Sequence, residues 1–426
     1  MDGARTRGQP AAVGAVQAML RVRVPHAILL SGPAGVGKTT LALDLAAALL
    51  CSAQDTGLRP CRTCRTCRMV AAGNHPDLHR LAPGGAGAQI GIGGTDRARG
   101  VRDLISDLVL MPVEGRARVA IIEDAHRLNE DAQSALLKTL EEPQAGVVLV
   151  LCVEEEERLL PTVRSRCARI RLGQVGVRDI EMLLGEHGLA DPPTAARLAR
   201  IAAGRPGTAM TYARAPEAEV LRGEIARRLL DLLQAGDAAR LVAVRELLAR
   251  AGDLAGILEA GSAGPGAGQA GARLARGRGG RAGRGAALSG GGGAQSAEAA
   301  TEAAGNAAAG EPGPGAGEAN TAPGFRLAAP ERRRAALTLI RIWQDLARDL
   351  ALAGIGERRR IRDVALLEEL EAAVTRLAGR DGRAAAAFLA RLARSAELLE
   401  GNVAPELILD VLVLAWPAPP RGAQSG

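Results

Sequence analysis

Aromatic side chains are scarce in this 426-residue sequence and make up 1% of it. The five are Tyr212, Phe325, Trp343, Phe388 and Trp416, so the first 211 residues contain none. Proteins that bind single-stranded nucleic acid commonly stack bases on aromatic rings. The composition therefore disfavours this mode of binding, above all in the N-terminal half of the chain.

Long apolar runs are also missing, and none approaches the roughly 20 residues that a membrane-spanning helix requires. Residues 1–10 are polar and lack the apolar segment of a secretory signal. We therefore expect a cytoplasmic protein with no membrane partner. The net charge of +7 permits contact with nucleic acid but does not by itself indicate it.

Short apolar runs alternate with amphipathic stretches between residues 25 and 172. Ala27–Leu30, Val119–Ile122 and Val147–Leu151 have the composition of buried strands, whereas Thr39–Leu50 and Asn129–Glu142 have helical periodicity. This alternation predicts an α/β domain in which helices flank a parallel sheet.

Lysine is almost absent, and one of the two lysines, Lys38, lies in a glycine-rich segment. Residues 32–39 match the pattern G-x-x-x-x-G-K-T between a predicted strand and a predicted helix. Backbone N–H groups of such a loop surround phosphate oxygens, the lysine contacts the β/γ-phosphates and the threonine completes a Mg²⁺ site. A glycine-rich turn that binds nothing is the alternative. The predicted ATP-binding residues are Gly32, Pro33, Ala34, Gly35, Val36, Gly37, Lys38, Thr39 and Thr40.

Two acidic residues, Glu123 and Asp124, directly follow the second predicted strand. In phosphate-loop enzymes a carboxylate at this place holds Mg²⁺, and a neighbouring carboxylate can orient the attacking water. We expect Thr39 and Glu123 at the magnesium and Asp124 as the catalytic carboxylate, although the order of the two acids stays open. The alternative is a pair of solvated charges. We expect His126 to pack or to make a local hydrogen bond rather than to act as a base.

Four of the six cysteines, Cys51, Cys61, Cys64 and Cys67, lie within 17 positions. Four thiolates form a closed tetrahedral Zn²⁺ site, for which we expect a structural role. An iron–sulfur cluster and free thiols are the alternatives. We expect Cys152 and Cys167 to be buried as small apolar side chains.

The rest of the chain divides by composition. Residues 177–258 and 331–414 have helical periodicity, whereas 259–326 is rich in Gly, Ala and Pro. Such a segment cannot bury enough apolar surface to offset its ordering entropy, so we expect a disordered insertion. Its arginine–glycine stretch around Arg276–Arg284 is also typical of RNA-binding segments, but a flexible spacer explains it more simply.

The order of these motifs resembles the bacterial clamp-loader branch of the AAA+ ATPases. After the acidic strand come Ala-Leu-Leu-Lys-Thr-Leu-Glu-Glu-Pro at 135–143 and Arg-Ser-Arg-Cys at 164–167, and their combination is typical of this family. The resemblance covers roughly residues 9–258 and 327–418. It implies ATP, Mg²⁺ and Zn²⁺ as cofactors and a role in loading a ring-shaped sliding clamp onto primed DNA.

The resemblance also implies a domain organisation. The expected parts are an AAA+ nucleotide-binding domain at 1–173 with an inserted zinc module at 51–67, a helical lid at 174–213, a helical collar for subunit assembly at 214–258 and 327–418, the disordered insertion at 259–326 and a tail at 419–426.

In this family the arginine of the Ser-Arg-Cys motif acts in trans on the nucleotide of the neighbouring subunit. That residue is Arg166 here, and a planar, permanently charged guanidinium suits the stabilisation of a γ-phosphate. The alternative is an ordinary salt bridge, for example to the acidic run 154–157.

Three departures resemble the delta-prime branch of the family more than the gamma/tau motor branch. The acids run Glu123–Asp124, Val153 replaces a polar nucleotide sensor, and Gly207 replaces a lid arginine, with Arg205 two positions away. Because a misplacement of about 1 Å can cost on the order of 10²-fold in rate, we expect weak or absent hydrolysis. The implied partners are the gamma/tau and delta subunits. A motor ATPase and a non-catalytic zinc-stabilised scaffold remain alternatives.

Overall fold

In the computed structural model, the described residues are 3–84, 89–93, 99–114, 117–262, 328–377, 383–400 and 403–417. The first part of the chain forms α1 (Pro10–Val22), β1 (Ala27–Ser31), α2 (Lys38–Leu50), α3 (Arg65–Ala71), β2 (Leu78–Leu81), α4 (Val101–Val109), β3 (Arg118–Ile122), α5 (Glu130–Glu141), β4 (Val147–Val153), α6 (Pro161–Arg164) and β5 (Ala168–Arg171). Helices follow: α7 (Val177–Glu186), α8 (Pro192–Ile201), α9 (Pro206–Arg214), α10 (Pro216–Asp231), α11 (Asp237–Ser262), α12 (Ala329–Gly354), α13 (Leu367–Arg376), α14 (Arg383–Glu400) and α15 (Pro405–Ala415).

The five strands form one parallel sheet in the order β2-β3-β4-β1-β5. Every residue of β1, β3 and β4 is buried, because helices cover both faces of the sheet. The predicted fold class, a parallel sheet flanked by helices with a helical C-terminal region, is confirmed. Strands β2 and β5 were not predicted; each has four residues, two of them buried in β2 and one in β5.

Side chains of each strand alternate between two cores. In β1, Ile28 and Leu30 pack with Leu41 of α2 on one face, while Leu29 packs with Leu136 of α5 on the other. Helix α5 begins as predicted, since the Asn129 side chain accepts a hydrogen bond from the N–H of Ala132 at 2.9 Å. Packing on both faces of the sheet therefore holds the carboxyl ends of its strands in fixed positions.

Helices α7 to α15 share a third hydrophobic core that extends along the chain from Val175 to Trp416. Residues on both sides of position 213, where lid and collar were expected to divide, pack into this core. Helix α11 extends to Ser262, so the prediction of disorder is wrong for residues 259–262. The remainder of the predicted insertion lies outside the described residues, as does the predicted tail at 419–426. No helix in the described ranges is long and apolar enough to span a membrane.

Three of the few aromatic residues meet at the centre of this helical core. The ring of Trp343 lies 5.3 Å from Phe388 and 5.5 Å from Trp416, and Phe388 lies 4.8 Å from Trp416. The indole N–H of Trp416 donates to the Leu229 carbonyl at 3.0 Å, and buried Arg240 donates to the Trp416 carbonyl at 2.8 Å. These contacts hold α15 against α10, α11 and α12.

Replacing Trp416 with alanine should lower the free energy of unfolding by about 3–5 kcal/mol, because the substitution leaves a cavity in this cluster. Chemical denaturation followed by circular dichroism measures the change. The control is Val411→Ala on the same helix, where the residue is 60% exposed and the expected change is within about 0.5 kcal/mol. Equal stability losses in the two variants would contradict the packing role of Trp416.

Candidate nucleotide and metal sites

The glycine-rich loop lies between β1 and α2, with Lys38 as the first residue of the helix. Gly32, Gly35 and Gly37 all have positive φ angles, of 147°, 74° and 104°. A Cβ on Gly32 would lie 2.2 Å from the Leu172 carbonyl oxygen, so a side chain cannot be placed there. The glycines thus allow the loop to turn tightly at the N-terminus of α2, where backbone N–H groups and the helix dipole favour an anion.

Lys38 is buried and bonds to its own loop. Its ammonium donates to the carbonyls of Gly32 at 2.7 Å and Pro33 at 2.8 Å. Burial lowers the pKa of Lys38, and the nearby carboxylates of Glu154 and Asp124 oppose that shift. The ammonium group is therefore positioned within the loop in which a nucleotide phosphate would be held.

Thr39 and Thr40 follow Lys38 in the first turn of α2. The side chains of Thr39 and Cys152 hydrogen-bond to each other, which connects α2 to β4. Cys152 is buried as predicted, and burial raises the pKa of its thiol to about 12. Cys167 is partly buried and packs against the hydrophobic core that contains Leu29, so its predicted burial as a small apolar side chain is confirmed only in part.

Helix α9 directly contacts the glycine-rich loop at residues 32–39, the predicted phosphate loop. The N–H of Gly207 donates to the Gly35 carbonyl at 3.2 Å. A Cβ on Gly35 would lie 3.3 Å from Arg205 Cβ and from Thr208 Oγ1. The Arg205 guanidinium lies 3.9 Å from the Asp345 carboxylate of α12, and burial lowers its pKa. Arg205 thus makes an ion pair with α12, and position 207 offers no side chain to a nucleotide.

The two acids that follow β3 have different environments. Glu123, the predicted magnesium ligand, accepts hydrogen bonds from Arg80 Nε at 2.9 Å and Nη2 at 2.5 Å. Arg80 lies on β2, which pairs with β3 so that Arg80 stands opposite Ile121. Arg80 could not be identified from the sequence, because this contact depends on the pairing of two strands and joins residues 43 positions apart.

Asp124 has a left-handed backbone conformation, with φ 47° and ψ 45°. Its carboxylate, the His126 imidazole and the Glu154 carboxylate each place one ligand atom within 4.8 Å of the others. Burial lowers the pKa of His126, which favours the neutral imidazole. Glu154 follows Val153, whose carbonyl accepts a hydrogen bond from Gly32 N–H at 3.2 Å. In the sequence, Glu154 is recognisable only as part of the acidic run 154–157.

The four predicted zinc ligands meet at one place, with their sulfur atoms within 4.8 Å of one another. Cys51 Sγ lies 3.5 Å from Cys61 Sγ and 3.9 Å from Cys64 Sγ. A tetrahedral zinc site with Zn–S bonds of about 2.3 Å has sulfur–sulfur distances of about 3.8 Å. The N–H groups of Cys64 and Cys67 donate to the sulfurs of Cys61 and Cys64, both at 3.4 Å. All six cysteines of the chain are unpaired thiols.

Hydrogen bonds also favour the thiolate form within this cluster. Burial opposes ionisation of Cys64, but hydrogen bonds from Ser52, Thr66 and Cys67 outweigh it and lower the pKa of the thiol to about 5. Burial raises the pKa of Cys67. A thiolate at Cys64 is the species that binds a metal ion, so the group fits Zn²⁺ in both geometry and chemistry.

Arg166 lies just after α6 on the surface, with 35% of its side chain exposed. The guanidinium pairs with Glu141 of α5 at 2.7 Å and donates to the Thr162 carbonyl at 2.9 Å. The alternative of an ordinary salt bridge is therefore what the structure shows for the isolated chain, with Glu141 as the partner instead of the acidic run 154–157. None of the recorded partners of Arg166 belongs to the chain's own phosphate loop.

The N-terminal part of the chain matches a known protein family. The family described as DNA polymerase III, delta subunit, matches residues 8–176. DNA polymerase III subunit delta' of Pseudomonas aeruginosa is 40% identical over 149 residues, which are 35% of this chain and 43% of that protein. Subunit delta' of Bacillus subtilis is 32% identical over 176 residues, 41% of this chain and 50% of the relative.

A tau subunit is similar as well. DNA polymerase III subunit tau of Salmonella typhimurium is 35% identical over 182 residues, 41% of this chain and 26% of that protein. The matched segment thus spans at most half of the length of these three relatives. Residues 8–176, which the family matches, contain the phosphate loop, the cysteine cluster, the acidic strand and Arg166. The resemblance to DNA polymerase III subunits is confirmed over this segment.

Proposed function

We propose that this chain is a delta-prime-type subunit of a bacterial DNA polymerase III clamp loader. It would support ATP-driven loading of the sliding clamp onto primed DNA, together with gamma/tau and delta subunits. The observation that carries the proposal is the position of Arg166. Its motif lies in residues 8–176, which match the DNA polymerase III delta-subunit family, and its partly exposed guanidinium bonds to Glu141 and Thr162, neither of which belongs to the chain's own phosphate loop.

In this proposal Arg166 acts on the ATP site of an adjacent subunit. Its partner Glu141 is 51% exposed, so the ion pair is weak and can be exchanged for a phosphate at little cost. Two planar N–H donors can contact γ-phosphate oxygens and stabilise the charge that develops there. The guanidinium would then link assembly of the subunits to hydrolysis.

The chain's own site would hold Mg·ATP with slow or absent hydrolysis. Gly32–Thr40 would surround the phosphates, and Thr39 would supply a hydroxyl to Mg²⁺. Three features support slow turnover: Glu123 is paired with Arg80, Val153 has no polar side chain, and Gly207 supplies no guanidinium. A gamma/tau-type motor is the second candidate, favoured by the complete phosphate loop and by the tau relative.

The cysteine cluster would hold a structural Zn²⁺ through Cys51, Cys61, Cys64 and Cys67. When bound, the ion would close the loop that links α2 to α3. Within this loop Arg62 pairs with buried Asp44 of α2 and donates to the Gly3 carbonyl at 2.6 Å. The metal would thereby also support the contact between the N-terminal segment and α2, which carries the phosphate loop at its N-terminus.

The two lysines provide a matched test of nucleotide binding. We expect Lys38→Ala to weaken the binding of a fluorescent ATP analogue with Mg²⁺ by about 10- to 100-fold, the value of a hydrogen bond to a charged group. Lys138→Ala removes the same charge outside the loop and should bind like the wild type. Equal binding by the two variants, or no binding by the wild type, would reject the proposed ATP site.

The role of Arg166 can be tested in a reconstituted loader with gamma/tau and delta subunits. With Arg166→Ala the complex should assemble, but hydrolysis at the adjacent ATP site should fall by about 10³-fold or more. The measurement is the ATPase rate of the complex in the presence of clamp and DNA. The total rate should fall by the fraction that the adjacent ATP site contributes to it. Arg169→Ala, at an exposed residue paired with Glu156 at 3.6 Å, is the control. Unchanged turnover with Arg166→Ala in an intact complex would remove the assignment.

The metal content provides a separate test. Protein purified without chelator should contain about one zinc ion per chain, as expected for a four-cysteine site. Cys61→Ser should lower the zinc content and the melting temperature, whereas Cys167→Ser should leave the zinc content unchanged. Elemental analysis measures the metal. A wild-type protein without zinc, or one with iron and visible absorbance, would refute the proposed Zn²⁺ site.

A further inference from the structure

A second group of possible metal ligands lies beside the phosphate loop, separate from the cysteines. Asp124 and His126 follow β3, and Glu154 follows β4, the neighbouring parallel strand. The carboxyl ends of adjacent parallel strands meet at one edge of the sheet, which brings the three side chains together. One ligand atom from each lies within 4.8 Å of the other two, a spacing that leaves room for one ion between them.

The two carboxylates in this group lack the partners that neighbouring acids have. Glu123 pairs with Arg80, and Glu155 pairs with Arg158 at 2.8 Å. Within the described ranges, no hydrogen bond or ion pair is recorded for the carboxylates of Asp124 and Glu154. The ammonium of Lys38 is nearby but donates to two loop carbonyls instead. Two carboxylates at close range repel each other unless a cation or a proton lies between them.

The imidazole of His126 also indicates that a cation binds in this group. Its Nδ1 atom is buried and has no hydrogen-bond partner within the part of the chain that the structure describes. Leaving a buried polar atom unsatisfied costs about 1–3 kcal/mol. A ring nitrogen that binds a metal ion no longer needs a hydrogen-bond partner. The bond to the metal also adds a favourable contact to the group.

We propose that Asp124, His126 and Glu154 bind one divalent cation, and that they do so without nucleotide. Two carboxylate oxygens and one imidazole nitrogen are a mixed oxygen and nitrogen ligand set, which suits first-row transition ions such as Mn²⁺ better than Mg²⁺. The ion would lie at Asp124 rather than at Glu123, with Glu154 supplying a ligand next to the apolar Val153. Because it concerns the nucleotide-free chain, this inference does not depend on the proposed role in a clamp loader.

The test is a titration of the zinc-loaded full chain with Mn²⁺, without nucleotide, followed by electron paramagnetic resonance. Mn²⁺ is chosen because a four-thiolate site favours softer ions. Glu154→Gln should weaken Mn²⁺ binding by at least about tenfold, since loss of groups that merely support a metal ligand already costs 10- to 100-fold. Glu155→Gln removes the same charge one residue away, at a 58% exposed side chain, and should bind like the wild type.

Two further variants keep the test informative if Glu154→Gln folds poorly. Asp124→Asn should also weaken binding, and asparagine tolerates the left-handed backbone at this position. His126→Asn should abolish the magnetic coupling between Mn²⁺ and an imidazole nitrogen that the wild type is expected to show. Absence of Mn²⁺ binding in the wild type, equal affinities of Glu154→Gln and Glu155→Gln, or loss of binding only in Glu123→Gln would overturn the inference. None of these outcomes affects the test of whether Lys38 is needed for ATP binding, so the two proposals can fail independently.

Discussion

The parallel pairing of β2, β3, β4 and β1 determines which charged groups meet at the phosphate loop. Because the pairing places Arg80 next to the end of β3, Glu123 is neutralised on the side of β2. The next acid, Asp124, has a left-handed backbone and lies with Glu154 at the end of β4. As a result of the strand register, Glu123 is paired with an arginine, whereas the carboxylate of the next residue, Asp124, remains available to bind a cation. This separation underlies both the proposed slow hydrolysis and the inferred cation site.

Much of the fold and part of the site could be predicted from local sequence. The strands β1, β3 and β4 are continuous apolar runs, and the start of α5 depends on a cap by Asn129. The phosphate loop is equally local, since its three glycines satisfy positive φ angles within six residues of chain. The cysteine spacing likewise brings four thiols together within one short segment. Each of these features depends on residues close to one another along the chain.

The features that could not be predicted depend on contacts between distant segments. The Arg80–Glu123 ion pair requires the β2–β3 register, and β2 is too short to be recognised by its periodicity. The contact between Gly207 and Gly35 depends on how the lid packs, and the pairing of Arg166 with Glu141 joins two segments that are separated by β4. Composition also indicated disorder from residue 259, although α11 continues to Ser262, with Glu259 paired to Arg334 and Gly261 packed closely against Thr211.

Helix α9 connects the predicted nucleotide site to the helical part of the chain. Arg205, directly before α9, pairs with Asp345 of α12, while Gly207 donates a hydrogen bond to the phosphate loop itself. We infer a site that holds ATP and leaves catalysis to a neighbour that receives Arg166. Single-turnover rapid-quench analysis of labelled ATP on the purified chain tests this most directly. Bound ATP should be recovered intact over many minutes, whereas conversion to ADP within seconds would contradict it and favour a motor subunit.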